Sequence, residues 1–137
     1  MLKGTVENLL KKEIVITNKD LYLDKTSFVI GCADDDLGSL ISFKRLNLID
    51  DPVLQRETQK TEIFHEVGHI FGLPTVRRGE TKLEDSLGLH CKNPGCSMKQ
   101  GMNVPEDWVT FTQQRLREGG RPYCQECITD LKIKFYR

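Results

Sequence analysis

Residues 51–72 read DPVLQRETQKTEIFHEVGHIFG, and this stretch decides the fold. Asp51 followed by Pro52 is a typical helix start, because an aspartate caps the free backbone N–H groups and proline suits the first helical position. Gly72 and the nearby Pro74 are typical of a helix end. The sequence therefore predicts one long helix from about Asp51 to Gly72.

The last third of this helix contains the pattern HExxH, formed by His65, Glu66 and His69. Histidines four residues apart lie on one helix face, which suits two ligands of a tetrahedral Zn²⁺. Glu66 points about 100° away from His65, so it does not bind the metal but can reach a metal-bound water. Gly68 favours this hypothesis, since a glycine inside a helix costs about 1 kcal/mol and suits a close approach. The alternative is that both histidines are ordinary helix residues.

A catalytic zinc needs a third protein ligand and an open fourth position. The chain has 3 histidines, and the last of them, His90, is the natural candidate. Glu84 and Asp85 are rival oxygen ligands in the polar segment 75–89, which we predict to be a loop. We favour His90 because imidazole is a standard zinc ligand and because its neighbour, Cys91, belongs to a second predicted site.

Four cysteines form two close pairs, C-x4-C and C-x2-C, with 27 residues between them: Cys91, Cys96, Cys124 and Cys127. This spacing is close to that of structural zinc sites with four thiolate ligands. The alternatives are a redox pair and chance burial. A redox CxxC is expected near a βαβ pattern, whereas Cys124 follows all the predicted strands. The fifth cysteine, Cys32, has no partner left and is predicted to be a small core residue.

Three runs upstream of the helix predict strands, at Glu13–Thr17, Thr26–Cys32 and Ser39–Leu46. A turn over Ala33–Gly38 joins the last two. Its three acidic residues, Asp34 to Asp36, could bind calcium, but aspartates more often form turns. We therefore predict a turn there and no calcium site.

Further helices are predicted near both ends of the chain. Asn103 is expected to cap a helix that ends at the glycine pair Gly119-Gly120, and a last helical segment runs from Tyr123 to about Lys134. A short helix at the start is predicted from the spacing of its apolar residues, which are Val6, Leu9 and Leu10.

The composition limits the possible functions. The chain has 137 residues, with 20 Lys+Arg and 20 Asp+Glu, so its formal net charge is zero. A balanced charge gives no general attraction to nucleic acid or anionic lipid, and no apolar run reaches the roughly 18 residues of a membrane span. The N-terminus lacks the apolar stretch of a signal peptide, so we expect a cytoplasmic protein with reduced thiols.

The run HEVGHIFG, followed by HCKNPGCSM and CQEC, resembles the archaemetzincins, a family of zinc metallopeptidases in the metzincin clan. Segments 14–22 and 38–46 are similar to the strands before that family's active-site helix. The resemblance implies peptide-bond hydrolysis, with Glu66 as general base and acid and with Met98 as the Met-turn residue beneath the catalytic site. It also implies two zinc sites, one catalytic with His65, His69 and His90, and one structural with Cys91, Cys96, Cys124 and Cys127. The alternative for Met98 is ordinary core packing.

Three features depart from the family pattern, and one of them is an interval between Met98 and Cys124 that is longer than the family's. The family's third histidine follows the glycine by three residues, where this chain has Thr75, so His90 lies beyond an insertion over residues 75–89. An insertion of this length adds little to the free-energy cost of closing the loop. The chain also begins close to the first matching strand, which implies a shortened N-terminus.

We therefore predict a single metallopeptidase domain over residues 1–137, of the α+β, metzincin-like class. A small mixed sheet and the active-site helix would occupy about 1–73, and a zinc-stapled part ending in a helix about 74–137. We expect two zinc ions and a peptide or protein substrate, held along an edge strand formed by Ser39–Leu46. No nucleic-acid or membrane partner is expected. The alternative function is a non-catalytic or weakly active zinc module for a protein partner.

Overall fold

The computed structural model describes residues 11–22, 28–34, 36–79, 83–85 and 88–136. The predicted N-terminal helix around Leu9 lies outside these residues, as does the beginning of the predicted strand Thr26–Cys32. Within the described part of the chain, none of the helices combines the length and the apolar character needed to cross a bilayer.

A mixed three-stranded sheet precedes the long helix. Its strands are β1 (Glu13–Thr17), β2 (Gly31–Asp34) and β3 (Gly38–Ser42), and their order in the sheet is β1-β3-β2. β1 runs parallel to β3, whereas β2 runs antiparallel to it. The predicted mixed sheet is confirmed. The prediction that Ser39–Leu46 forms an edge strand is wrong, because β3 is hydrogen-bonded on both sides and β2 is an edge instead.

The strand boundaries also differ from the prediction. β2 starts and ends later than the predicted strand, and β3 stops at Ser42, before a 3-10 turn over Leu46–Leu48. The connection between β2 and β3 is tight because Asp34 Oδ1 accepts the backbone N–H groups of Asp36 and Leu37, at 2.8 and 3.0 Å. Asp34 thus forms a turn, as predicted.

The long helix, α1, spans Pro52–Ile70 and confirms the predicted element. The carboxylate of Asp51 accepts the backbone N–H groups of Val53 and Leu54 at 2.8 and 2.9 Å, so it is the predicted cap. At the other end, Gly72 has a φ of +85°, a conformation that glycine adopts without strain. The helix therefore begins and ends for the reasons that the sequence indicates.

The most buried face of α1 is polar. Its buried residues are Thr58, Thr61, Glu62, His65, Glu66 and Gly68. A second helix, α2 (Glu106–Arg117), packs on this face through polar contacts. The hydroxyls of Thr61 and Thr112 lie 2.7 Å apart, and Trp108 donates its indole N–H to Glu62 Oε2 at 2.7 Å. These hydrogen bonds satisfy groups that would otherwise be costly to bury.

The start of α2 differs from the prediction. The side chain of Asn103 does not cap the helix. Instead, Asp107 Oδ2, in the first turn, accepts the backbone N–H groups of Met102 and Asn103 at 2.7 and 2.9 Å. The end is as predicted, since Gly119 and Gly120 have φ values of +99° and +74° and stop the helix.

The segment predicted as a loop over residues 75–89 contains regular structure. It holds a 3-10 turn (Val76–Arg78) and strand β4 (Leu83–Asp85), which pairs antiparallel with β5 (Leu89–Cys91). The last helix, α3 (Gln125–Phe135), confirms the predicted helical end. The inserted segment therefore folds back as a small hairpin that brings His90 and Cys91 to the body of the protein.

Two apolar clusters hold these elements together. In the first, Ile30 and Leu46 join Trp108 of α2. The second lies in the C-terminal part and consists of Leu73, Cys91, Cys96, Met98 and Cys127. Because four of these five residues are predicted zinc ligands or the predicted Met-turn residue, the packing of this part depends on residues of the predicted sites.

Replacement of the helix cap tests why α1 begins where it does. Asp51→Ala is expected to destabilise the protein by about 1 kcal/mol, since two backbone N–H groups lose their acceptor. Thermal unfolding at a fixed zinc concentration should show a fall in Tm of roughly 4 °C. Asp51→Asn, which keeps an acceptor, and Asp50→Ala, at the exposed neighbouring position, should change Tm far less. Equal effects of Asp51→Ala and Asp50→Ala would contradict the capping role.

Candidate metal centres

Three histidine rings from two elements meet at one point. His65 and His69 project from α1, one turn apart, and His90 comes from β5. The Nε2 atom of His69 lies 3.2 Å from that of His65 and 3.2 Å from that of His90. A tetrahedral zinc about 2.0–2.1 Å from each nitrogen needs the nitrogens about 3.3 Å apart. The spacing of the three nitrogens therefore fits one zinc ion.

The opposite nitrogen of each ring is held by a backbone carbonyl. The Nδ1 atoms of His65, His69 and His90 lie 2.7, 3.1 and 2.7 Å from the carbonyl oxygens of Ser97, Leu73 and Gly88. A carbonyl oxygen can only accept, so each Nδ1 must carry a hydrogen. A neutral ring with Nδ1–H has its lone pair on Nε2. Three Nε2 lone pairs therefore face one another, an arrangement that a cation between them stabilises.

Burial favours the neutral form of the two rings on α1. Burial and the neighbouring rings of His69 and His90 lower the pKa of His65 well below its usual value, and burial together with His90 lowers the pKa of His69 to about 4. Only the neutral imidazole can bind a metal ion, so protons compete weakly with a metal at this site.

Glu84, one of the two rival oxygen ligands, does not join this cluster. Glu84 Oε1 forms an ion pair with Lys99 Nζ at 2.6 Å, and β4 pairs Glu84 with His90 through the backbone. The side chain of Asp85 lies outside the described part of the chain. Among the described residues, the group that could hold this metal consists of the three histidines alone.

The four paired cysteines form a second group with metal-binding geometry. Sγ of Cys91 lies 3.8 Å from that of Cys124, and Sγ of Cys96 lies 3.6 Å from that of Cys127. A disulfide requires about 2.05 Å, whereas four sulfurs about 2.3 Å from a tetrahedral zinc are about 3.8 Å apart. All four cysteines are free thiols in the structure. Their arrangement fits a zinc ion, and the four sulfurs are not joined in disulfides.

Glu66 lies beside the histidine cluster and is held by neighbouring polar groups. The hydroxyl of Ser39, on β3, lies 3.2 Å from Glu66 Oε2. The carboxyl groups of Glu66 and Glu62 both lie against Gly31 of β2, where an added Cβ would collide with an oxygen of each. The sheet therefore approaches α1 closely only because residue 31 has no side chain.

The two carboxyl groups share a buried environment that favours protonation. Burial and the nearby Glu66 charge raise the pKa of Glu62 well above its usual value, and burial raises the pKa of Glu66 to about 7. Glu62 Oε1 has no hydrogen-bond partner among the described atoms unless the pair holds a proton. A divalent cation at the histidines would lower the pKa of Glu66 again. Burial alone, without a cation at the histidines, thus brings the pKa of Glu66 close to neutral pH.

Met98 packs beneath the metal-binding end of α1. It is fully buried, and a Cβ added at Gly68 would collide with its sulfur. The close approach predicted from a glycine inside the helix is therefore that of Met98. This position, under the turn that joins His65 to His69, is the one that the resemblance implies for the Met-turn residue.

A cleft of about 650 Å³ opens in front of the histidines and Glu66. One wall is the backbone from Phe28 to Ala33, which includes the start of edge strand β2. Cys32 also lines this cleft and is half-buried, so its prediction as a core residue is wrong. The reason is that β2 is an edge strand of the three-stranded sheet, so Cys32 is only partly covered.

Sequence reasoning missed two polar partners of these sites. Glu62 lies four residues before Glu66 and so shares its helix face, a spacing that could have revealed the pair. Arg78, which contacts two of the cysteine sulfurs, gave no local signal because its partners are distant in sequence.

Comparisons with known proteins identify relatives of this chain. It matches no family model. It is 33% identical over 100 residues to archaemetzincin from Haloquadratum walsbyi, across 57% of this chain and 58% of that relative. It is 27% identical over 128 residues to archaemetzincin from Pyrococcus furiosus, across 89% of this chain and 54% of that relative. The chain thus spans little more than half the length of these curated relatives.

A solved structure has the same fold. The zinc-dependent peptidase from Methanocorpusculum labreanum superimposes with a TM-score of 0.65 at 26% identity, over 95% of this chain and 59% of that one. This likeness confirms the predicted α+β fold class.

Because Gly68 contacts Met98, we predict that a substitution that normally stabilises a helix will destabilise this protein. Gly→Ala inside an exposed helix stabilises by about 1 kcal/mol, but Gly68→Ala is expected to destabilise by about 1–3 kcal/mol because the new methyl group meets the Met98 sulfur. The measurement is the Tm at a fixed zinc concentration. In a Met98→Ala background, which removes the obstacle, the same substitution should be far less harmful. Stabilisation by Gly68→Ala alone would refute the contact.

Proposed function

We propose that this chain, which is similar to archaemetzincins over much of its length, is a zinc-dependent peptidase that hydrolyses peptide bonds. One observation carries the proposal: three Nε2 lone pairs converge beside the Glu66 carboxyl on the wall of an open cleft. In this proposal residues 1–137 act as a single metallopeptidase domain, because the third histidine, His90, comes from the part after residue 74.

The two metal groups have different roles in the proposal. His65, His69 and His90 are the ligands of a catalytic zinc and border the cleft, whereas the four cysteines hold a buried structural zinc. When bound at the histidines, zinc supplies Lewis-acid chemistry, since it polarises a scissile carbonyl and lowers the pKa of water to about 7. Met98 supports the catalytic site from below, through its contact with the helix turn at Gly68.

Glu66 is proposed as the group that moves the proton. Its carboxylate takes the proton of the attacking water and delivers it to the nitrogen of the leaving amine, so it acts first as base and then as acid. The Ser39 hydroxyl and the buried Glu62 carboxyl restrict the orientation of the Glu66 side chain. Trp108 in turn fixes Glu62 through its indole N–H.

The edge strand β2 is proposed as the peptide-binding strand. The segment from Phe28 to Ala33 lines the cleft, and β2 is an edge of the three-stranded sheet. An extended substrate can pair with the free backbone groups of such an edge, which leaves side-chain selection to the cleft walls. This role replaces the one expected for Ser39–Leu46.

Glu66→Gln separates proton transfer from metal binding. Gln has almost the same shape but cannot accept a proton, so hydrolysis should fall by about 10²–10⁴-fold while the zinc content stays at two ions per chain. Cleavage of a peptide library is followed by mass spectrometry, and zinc is counted by elemental analysis. Glu106→Gln, at an exposed position on α2, is the matched control and should keep full activity.

Two results would contradict this assignment. Full activity of Glu66→Gln would show that another group moves the proton. A wild-type protein that holds two zinc ions but cleaves no peptide in the library would instead favour the non-catalytic zinc module.

A further inference from the structure

Arg78 places a buried cation against the four-cysteine group. Its Nη2 donates to Cys127 Sγ at 2.8 Å, and its Nη1 donates to Cys91 Sγ at 3.2 Å. The Arg78 side chain is fully buried. The residue lies in the 3-10 turn after α1, within the segment inserted between His69 and His90. The inserted segment therefore contributes a positive charge to a site whose four ligands all come later in the chain.

Asp130 holds this guanidinium in place. Its Oδ2 accepts from Arg78 Nε at 3.0 Å and from the backbone N–H of Thr75 at 3.1 Å, and its Oδ1 accepts from Arg77 Nε at 2.8 Å. Asp130 lies on α3, three residues after Cys127. The same carboxylate thus ties the inserted segment to a helix that carries a predicted zinc ligand. Arg78 Nη2 also lies 2.9 Å from Asp130 Oδ2, so the guanidinium contacts this carboxylate and the two cysteine sulfurs together.

The charge of a four-thiolate zinc site explains why an arginine is suited to this position. Four thiolates around Zn²⁺ leave a net charge of about −2, which is costly to bury without a compensating cation. A guanidinium stays protonated at any working pH, and its planar fork can donate to two sulfurs at once. Among the described residues, Arg78 is the one charged side chain that donates hydrogen bonds to these thiols.

We propose that Arg78 is the outer cation of the four-cysteine zinc site and that it sets how tightly this site holds its ion. The inference rests on the structural-zinc part of the proposed function and is independent of peptidase activity. A purely mechanical role would differ, because anchoring of the inserted segment to Asp130 is a task that Arg77 shares. A comparison of Arg78 with Arg77 therefore distinguishes charge compensation at the sulfurs from anchoring of the inserted segment.

The test follows metal release from the thiols of the whole 137-residue chain. The protein is loaded with Co²⁺, whose thiolate charge-transfer absorption reports the four-cysteine site alone, and an excess of chelator is then added. Arg78→Gln should release this cobalt at least about 10-fold faster than the wild type, since outer-shell partners of metal ligands typically change affinity by 10–100-fold. Arg77→Gln, the matched control, loses the Asp130 contact but no sulfur contact and should differ from the wild type by less than about 3-fold.

A second pair of variants covers the case in which Arg78→Gln does not fold. Arg78→Lys keeps the positive charge but loses the planar guanidinium that donates to two sulfurs at once. This variant should therefore release cobalt faster than Arg77→Lys. The comparison uses whichever pair of variants folds, the two Gln variants or the two Lys variants. Equal cobalt release rates for the Arg78 and Arg77 members of that pair would overturn the inference and leave the proposed zinc sites intact. A wild-type protein without the charge-transfer absorption would overturn both the inference and the structural-zinc assignment.

Discussion

Three imidazole nitrogens that face one another impose the main constraint on this protein. The Nε2 atoms of His65 and His90 each lie 3.2 Å from that of His69, and backbone carbonyls hold the far side of every ring. Lone pairs in this arrangement repel one another unless a cation lies between them. The rest of the architecture maintains it: α1 supplies two rings, the folded-back hairpin supplies the third, and Met98 packs below. The stability of the cluster and the binding of a metal are therefore linked.

The parts that the sequence predicts well are those with local physical causes. The ends of α1 follow from the Asp51 cap and from Gly72, both of which act within one helical turn. The pairing of His65 with His69 follows from helical periodicity. His90 joins them because its neighbour Cys91 belongs to a second cluster, an inference from adjacency along the chain. The helix ends and the pairing of His65 with His69 depend on interactions within a few residues, and His90 could be predicted only because it is next to Cys91 in the chain.

The errors come from interactions between distant residues. The composition of strand β3 does not distinguish an edge strand from a central one. β3 is central because β1 and β2 pair with it on opposite sides. The sequence predicts that Cys32 is a core residue, but Cys32 lies on the edge strand β2 and lines the cleft. Asn103 does not cap α2, and the Asp107 carboxylate instead accepts backbone N–H groups of the preceding loop. Arg78 finds its sulfur partners 13 and 49 residues away, so no local pattern could have indicated them.

A crystal structure of the zinc-loaded protein, with an anomalous difference map recorded at the zinc absorption edge, tests the central claim most directly. We expect two peaks per chain. One should lie about 2.0–2.1 Å from the Nε2 atoms of His65, His69 and His90, and the other about 2.3 Å from the four cysteine sulfurs. A peak at the α1 histidines with His90 turned away from it, or no peak there at saturating zinc, would contradict the account.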